Sequence, residues 1–217
     1  MSKINYNEYY HIYNRGINGC NIFKEVNDFE KFLELYKKYI PHIADTYAWC
    51  LMGNHLHLLI RIKDENEIGY FVPTKFDNKT EWVIKTIDNK NKELEQNLKQ
   101  PTPSKQFSHL FNVYAKYFNL KHKRTGSLFE KSFKRKIIKS DEYLTYLVYY
   151  MHHNPVHHGF SNELGEYKWT SYNDYINENK SFVEKKEVIE LFEDIDNFKY
   201  FHDNEHNLSL IDDYLIE

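Results

Sequence analysis

The chain has 217 residues and a formal charge of −3, long enough for one sizeable core or for a domain with a tail. A mean hydropathy of −0.76, with no apolar run near the ~18 residues that a spanning helix needs, excludes a spanning helix, and the start Met1-Ser2-Lys3-Ile4-Asn5-Tyr6 lacks the charged-then-apolar pattern of a secretion signal. Cys20 and Cys50 have neither zinc-ribbon nor redox spacing, so a reducing cytoplasm is the expected compartment.

The charge is segregated, which matters more than its sum. Nine Lys or Arg against the single acid Glu130 make residues 116–139 about +8, whereas eleven acids against three lysines make residues 184–217 about −8. The first segment can grip phosphate and the second cannot.

In chain order, the aromatic and β-branched residues 8–14 predict a first strand, ended by Arg15-Gly16 and Asn18-Gly19. From Asn27 as N-cap, Phe29, Phe32, Leu33, Tyr36 and Ile40 recur at helical spacing, and Pro41 closes the helix. Residues 44–51 and 56–63 predict two strands joined by Met52-Gly53-Asn54 as a hairpin. Residues 64–104 are the least regular stretch, carrying three prolines and the charged repeat 89–93. They are expected to form an insertion on the active-site side, or a tolerated loop, with Gly69-Tyr70-Phe71-Val72 and Trp82-Val83-Ile84 as ordered pieces.

A second amphipathic helix follows from Phe107, Leu110, Phe111, Tyr114 and Phe118, and the turn Lys121-His122-Lys123-Arg124-Thr125-Gly126 leads into a basic strand within 128–139. There Lys131, Lys134 and Lys136 could follow a backbone of phosphates, with Phe129 or Phe133 as a stacking face. Ser140 is a good N-cap, with Asp141-Glu142 at the positive end of the next helix. Leu144, Leu147, Val148 and Met151 form its core stripe, Tyr143, Tyr146, Tyr150 and Asn154 an adjacent face, and Pro155 its expected end. Beyond Tyr172, two short acidic helices are expected around Val188–Ile195 and Leu208–Leu215.

Two clusters carry chemistry. Residues two apart in a strand share a face, so His55 and His57 present two imidazoles together, which is either half a metal site or a pair of structural strand histidines. Residues four apart in a helix stack, so Tyr150 and Asn154 pair a phenol with an amide oxygen. With 19 tyrosines present, chemistry alone does not choose among Tyr143, Tyr146, Tyr149 and Tyr150. A rival zinc site could use His152, His153, His157 and His158, which lack any thiolate or carboxylate pattern.

Tyr10-His11-Ile12-Tyr13-Asn14-Arg15-Gly16, Tyr47 to Leu59 with its Asn54-His55-Leu56-His57, Arg124-Thr125-Gly126-Ser127-Leu128-Phe129, Asp141-Glu142-Tyr143-Leu144 running into Tyr150 to Val156, and Trp169-Thr170-Ser171-Tyr172 occur in that order. In these landmarks the chain resembles the single-tyrosine HUH transposases, in their REP-associated tyrosine transposase branch. It departs from the pattern at Gly53, where the family often has Pro, and in the long insertion; Asn154 stands where many relatives have Gln.

The resemblance implies an α+β fold, a ferredoxin-like antiparallel sheet with helices packed on one face, as an HUH-type nuclease domain over 1–175 with the 64–104 insertion. Residues 176–217 would form an acidic helical extension. It implies Tyr150 as the nucleophile, and His55, His57 and Asn154 as ligands of Mg²⁺ or Mn²⁺. The partner would be single-stranded DNA with a hairpin, contacted by Asn14, Arg15, Lys121, Lys123, Arg124, Lys131, Lys134, Arg135 and Lys136. Relatives work as monomers or homodimers. The implied activity is nicking and joining through a 5′-phosphotyrosine. The alternative is a hairpin-binding regulator that no longer cuts. A metal hydrolase of small molecules would need an acid beside the histidines, and Leu51–Ile60 contains none.

Overall fold

The computed structural model describes residues 4–76, 79–85, 99–130, 132–177 and 181–214. Lys131, the charged repeat 89–93 and Leu215 lie outside the described residues.

The core runs β1 (Tyr9–Arg15), α1 (Val26–Tyr39), β2 (Ala44–Met52), β3 (His55–Ile62), α2 (Pro103–Lys121) and β6 (Lys134–Ile138). These strands form one antiparallel sheet in the order β2-β3-β1-β6, and this β-α-β-β-α-β chain order is the ferredoxin-like arrangement. Between β3 and α2, β4 (Tyr70–Phe76) and β5 (Lys79–Lys85) pair as a separate antiparallel hairpin. The ordered pieces read from sequence around Tyr70-Phe71-Val72 and Trp82-Val83-Ile84 fall in these two strands, whose remaining residues, Pro73 among them, are too polar or too irregular to extend the pattern.

Strand alternation divides the sheet into two faces. Tyr10, Ile12, Leu56, Leu58 and Ile60 point to one side, where α1 and α2 cover them through Phe32, Phe107, Phe111 and Tyr114, with Phe23 from the segment before α1, all buried. Tyr36 on α1 exchanges a 2.8 Å hydrogen bond with Thr46 on β2, tying that helix to the sheet. The other face carries His11, Tyr13, Arg15, His55 and His57. It is covered by α3 (Asp141–His157), so helices lie on both faces and not on one. The apolar stripe of α3, Leu144, Leu147, Val148 and Met151, is buried as its spacing requires.

Two helix boundaries differ from the sequence reading, for local reasons. The N-cap of α1 is Glu25 and not Asn27, because the buried carboxylate of Asp28 accepts the backbone N–H groups of Lys24 (2.9 Å) and Glu25 (3.1 Å). Pro155 does not end α3. A proline in the last turn costs one backbone hydrogen bond, and the helix continues to His157. It stops at Gly159, whose φ of +70° lets the Gly159 N–H reach the Val156 carbonyl (3.0 Å) and the Phe160 N–H reach the Pro155 carbonyl (2.8 Å). Ser140 caps α3 as expected, accepting from the Tyr143 N–H at 3.2 Å.

The C-terminal region forms α4 (Tyr172–Ile176), α5 (Lys185–Leu191), α6 (Ile195–Asp203) and a 3₁₀ segment, Leu208–Tyr214. Asp194 caps α6 through its carboxylate, so Ile195 begins a new helix instead of closing the preceding one. Phe198 and His202 of α6 pack behind α3 against His152.

Candidate active site

The site lies between β3 and α3. His55 opens β3 and His57 follows two residues on, their ring centroids 5.1 Å apart. On α3, Tyr150, Asn154 and His158 recur every four residues and so form one stripe along the helix. At one end of that stripe the Tyr150 ring meets His57 edge to face, centroids 5.7 Å apart. At the other end, the ring of His158, the C-cap, meets His55 at 5.3 Å. Asn154 sits between them and is fully buried. The two sequence clusters, almost a hundred residues apart, thus share one cleft.

The hydrogen bonding of these groups is distinctive. His55 donates Nδ1–H to the Asn54 side-chain oxygen (2.6 Å), and His57 Nδ1 is joined to His11 Nε2 (2.9 Å). Yet His55 Nε2, His57 Nε2 and both amide atoms of Asn154 are buried without a hydrogen-bond partner among the described residues. Unpaired buried polar atoms cost about 1–3 kcal/mol each, so a cluster of them asks for a ligand. Burial, reinforced by the charges of His158 and Arg15, lowers the pKa of His55 to about 4. Burial, followed by neighbouring His11, His55 and His158, holds that of His57 well below its ordinary value. Both rings are therefore neutral and offer lone pairs at neutral pH, the state in which imidazole binds metals.

The donor set fits a divalent cation: two neutral imidazole nitrogens and an amide oxygen, none already satisfied. Among the described residues no three His, Cys, Asp or Glu side chains converge as a ligand set, and the Asn154 amide is the further unpartnered polar group beside the two imidazoles. The rival zinc cluster does not form. His152 spends both ring nitrogens, on His202 Nε2 and Ser171 Oγ at 2.9 Å each, and His202 Nδ1 donates to the Phe198 carbonyl at 2.8 Å. These are satisfied core histidines that dock α6 behind the site helix.

The basic residues separate by face and by occupation. Lys134 and Lys136 lie opposite Tyr13 and His11 on the histidine face, Lys134 exposed with its ammonium 5.8 Å from the Tyr13 ring. Arg15 pairs with His55 across β1 and β3. Arg135 alternates to the opposite face, its guanidinium 5.7 Å from the Phe133 ring. Asn14 also points to that face and lines, with Phe111, Phe129 and Phe133, a cleft of about 520 Å³. Lys121 is drawn away, its ammonium 2.8 Å from Asp28 and 3.0 Å from Glu25. Arg124 braces its own turn through the Ser127 carbonyl (2.8 Å) and Asn119 (3.0 Å), while Lys123 is exposed.

Sequence reasoning missed His11, Tyr13 and His158 as neighbours of the site. The alternation His11, Tyr13, Arg15 on β1 held the signal for the first two, and the four-residue repeat from Tyr150 through Asn154 held it for the third.

No family model and no curated protein matches the chain. Among solved structures, it is similar to a REP-associated tyrosine transposase bound to a REP hairpin, with a TM-score of 0.48, 11% identity, and coverage of 81% of this chain and 86% of that one. It is also similar to a bacterial tRNA(His) guanylyltransferase (Thg1)-like protein in complex with ATP, with a TM-score of 0.37, 11% identity, and coverage of 76% of this chain and 65% of that one. Among the described residues no helix is long and apolar enough to cross a membrane. Likenesses of this degree identify no family for the chain.

Proposed function

We propose that the chain is a metal-dependent nicking and joining enzyme for single-stranded DNA beside hairpins, with Tyr150 as nucleophile and His55, His57 and Asn154 as ligands of Mg²⁺ or Mn²⁺. The observation that supports this reading is the state of the donor atoms. His55 Nε2, His57 Nε2 and the Asn154 amide are buried and unpartnered around one cleft whose wall includes the Tyr150 ring.

When bound, a divalent cation polarises a non-bridging phosphate oxygen and stabilises the departing 3′ oxygen. Two imidazoles favour Mn²⁺ over Mg²⁺, and a substrate phosphate adds the anionic oxygen that this neutral set lacks. The Tyr150 oxygen attacks phosphorus in line as the phenol gives up its proton. The bond to the 3′ oxygen breaks, that oxygen takes up a proton, and a 5′-phosphotyrosine and a free 3′-OH result. A 3′-OH attacking the phosphotyrosine reverses these steps and joins strands without a high-energy cofactor. Lys134 and Lys136 on the same face hold flanking phosphates, and the half-buried Tyr13 ring offers a surface for an unstacked base.

The test is one incubation of a labelled single-stranded oligonucleotide carrying a hairpin with the full chain and Mn²⁺ or Mg²⁺. A denaturation-resistant protein–DNA adduct, lost in EDTA and in Tyr150→Phe, is the expected result. Binding of the hairpin with no adduct under any metal would instead favour the non-cleaving regulator.

A further inference from the structure

A second layer of the site is built into β1, and it rests on the metal-binding reading of His57. His11 is wholly buried on the same sheet face as His57, one diagonal step away across the β1–β3 pairing. The two rings lie nearly parallel, at 25° with centroids 5.1 Å apart, and His11 Nε2 meets His57 Nδ1 at 2.9 Å. Such a bond joins one N–H to one lone pair, so it admits two tautomeric arrangements. If His57 carries its proton on Nδ1 and donates it to His11, Nε2 is left as the bare lone pair facing the cleft. If the proton moves to His57 Nε2, that lone pair is lost.

We propose that His11 is a positioning residue for the metal site: its Nε2 accepts the His57 Nδ1–H, fixing the His57 ring and keeping His57 Nε2 open as a donor. Asn54 does the corresponding job for His55, whose Nδ1–H its side-chain oxygen accepts at 2.6 Å. The choice of an imidazole as the acceptor has a consequence. Metal-ligating histidines usually lean on a carboxylate or a carbonyl. A neutral, buried acceptor adds no negative charge, so it leaves the set dependent on the substrate phosphate for anionic oxygen. His11 requires its own proton on Nδ1, which ties the tautomers of the two rings together.

Two substitutions separate this role from packing. His11→Gln keeps a side-chain oxygen that can accept the proton but fills the space less well, whereas His11→Phe keeps a ring of similar shape and removes the acceptor. Mn²⁺ binding to the full chain, read from the EPR signal of free ion, is expected to weaken about 10- to 100-fold in His11→Phe and to recover substantially in His11→Gln. A merely structural role gives the reverse order or equal losses, and either result overturns the proposal. In the metal-free wild type, ¹⁵N NMR should find His57 protonated at Nδ1; protonation at Nε2 overturns it without any variant, which covers the case that His11→Phe does not fold. Mn²⁺ binding indifferent to both His55→Ala and His57→Ala would remove the site itself, and His11's role with it. Sensitivity to those two changes with none in His11→Phe would remove only the role of His11.

Discussion

Tyr150 on α3 and His57 on β3 meet edge to face, ring centroids 5.7 Å apart, across the sheet face opposite to α1 and α2. The contact joins a helix and a strand that neither sequence proximity nor the βαββαβ core brings together. It is made by α3, the element added to that core.

Tyr150→Phe should abolish the covalent adduct while leaving oligonucleotide affinity within about twofold, because only the phenolic oxygen is removed and uniform binding is untouched. Gel-resolved adduct formation and a binding titration on the same oligonucleotide check both halves. Adduct formation at the wild-type rate would dismiss Tyr150 as the nucleophile.

Asn154→Ala carries an unusual expectation. Removing a buried amide normally costs stability, but this amide has no partner among the described residues, so truncation also removes an uncompensated desolvation cost of about 1–3 kcal/mol. Metal-dependent cleavage should fall at least tenfold while the melting temperature of the metal-free protein holds or rises. A loss of several degrees would mean that the amide is satisfied in solution and is not held open for a ligand.

Lys134 and Lys121 should part company. Lys134→Ala, exposed on the histidine face, should reduce the dependence of log affinity on log salt for single-stranded DNA by about 0.7 with no change in stability. Lys121→Ala should leave that slope alone and destabilise the fold by on the order of 1.5–3 kcal/mol, or roughly 3–12 °C for a chain of this size, because Asp28 loses a charged partner. Binding isotherms at three salt concentrations and a thermal melt distinguish the two residues.

Acid should loosen the region behind α3 first. Burial, only partly offset by the Phe198 carbonyl, lowers the pKa of His202 to about 3, and burial with neighbouring His202 and His153 holds His152 well below its usual range. A histidine whose folded pKa is depressed takes up its proton in the unfolded chain first. Stability is therefore complete above the ordinary value of about 6.5 and is lost as pH falls towards 3, by up to about 1.4 kcal/mol per pH unit for each such ring. Asp28 contributes lower down. Burial alone would raise its pKa, but hydrogen bonds from Lys121, the Lys24 and Glu25 amides and His122 outweigh that and depress it, so its stabilisation holds above the usual carboxylate range and vanishes only in stronger acid. Urea midpoints at pH 7, 6 and 5 should fall in the wild type and fall less steeply in His202→Gln. Flat midpoints would contradict neutral burial of the histidine pair.

The sequence by itself determined the elements. Aromatic and β-branched composition marked β1, the Met52-Gly53-Asn54 turn between two short runs marked β2 and β3, period-3.6 stripes marked α1, α2 and α3, and the spacings His55-x-His57 and Tyr150-x₃-Asn154 put each pair on one face, because strand and helix geometry are local properties of the backbone. Local pattern also misled where long-range partners outbid it. Asn27 looked like the cap of α1 until the buried Asp28 took the Lys24 and Glu25 amides, and Pro155 looked like the end of α3 until Gly159 supplied the left-handed turn. Only the tertiary structure decided that α3 lies over the face carrying His55 and His57, that His11 supports His57 from a neighbouring strand, and that Lys121 belongs to Asp28. Those pairings join residues 46 to 103 positions apart, and they are set by which apolar surfaces bury against one another, a sum over the whole chain that no window of sequence contains.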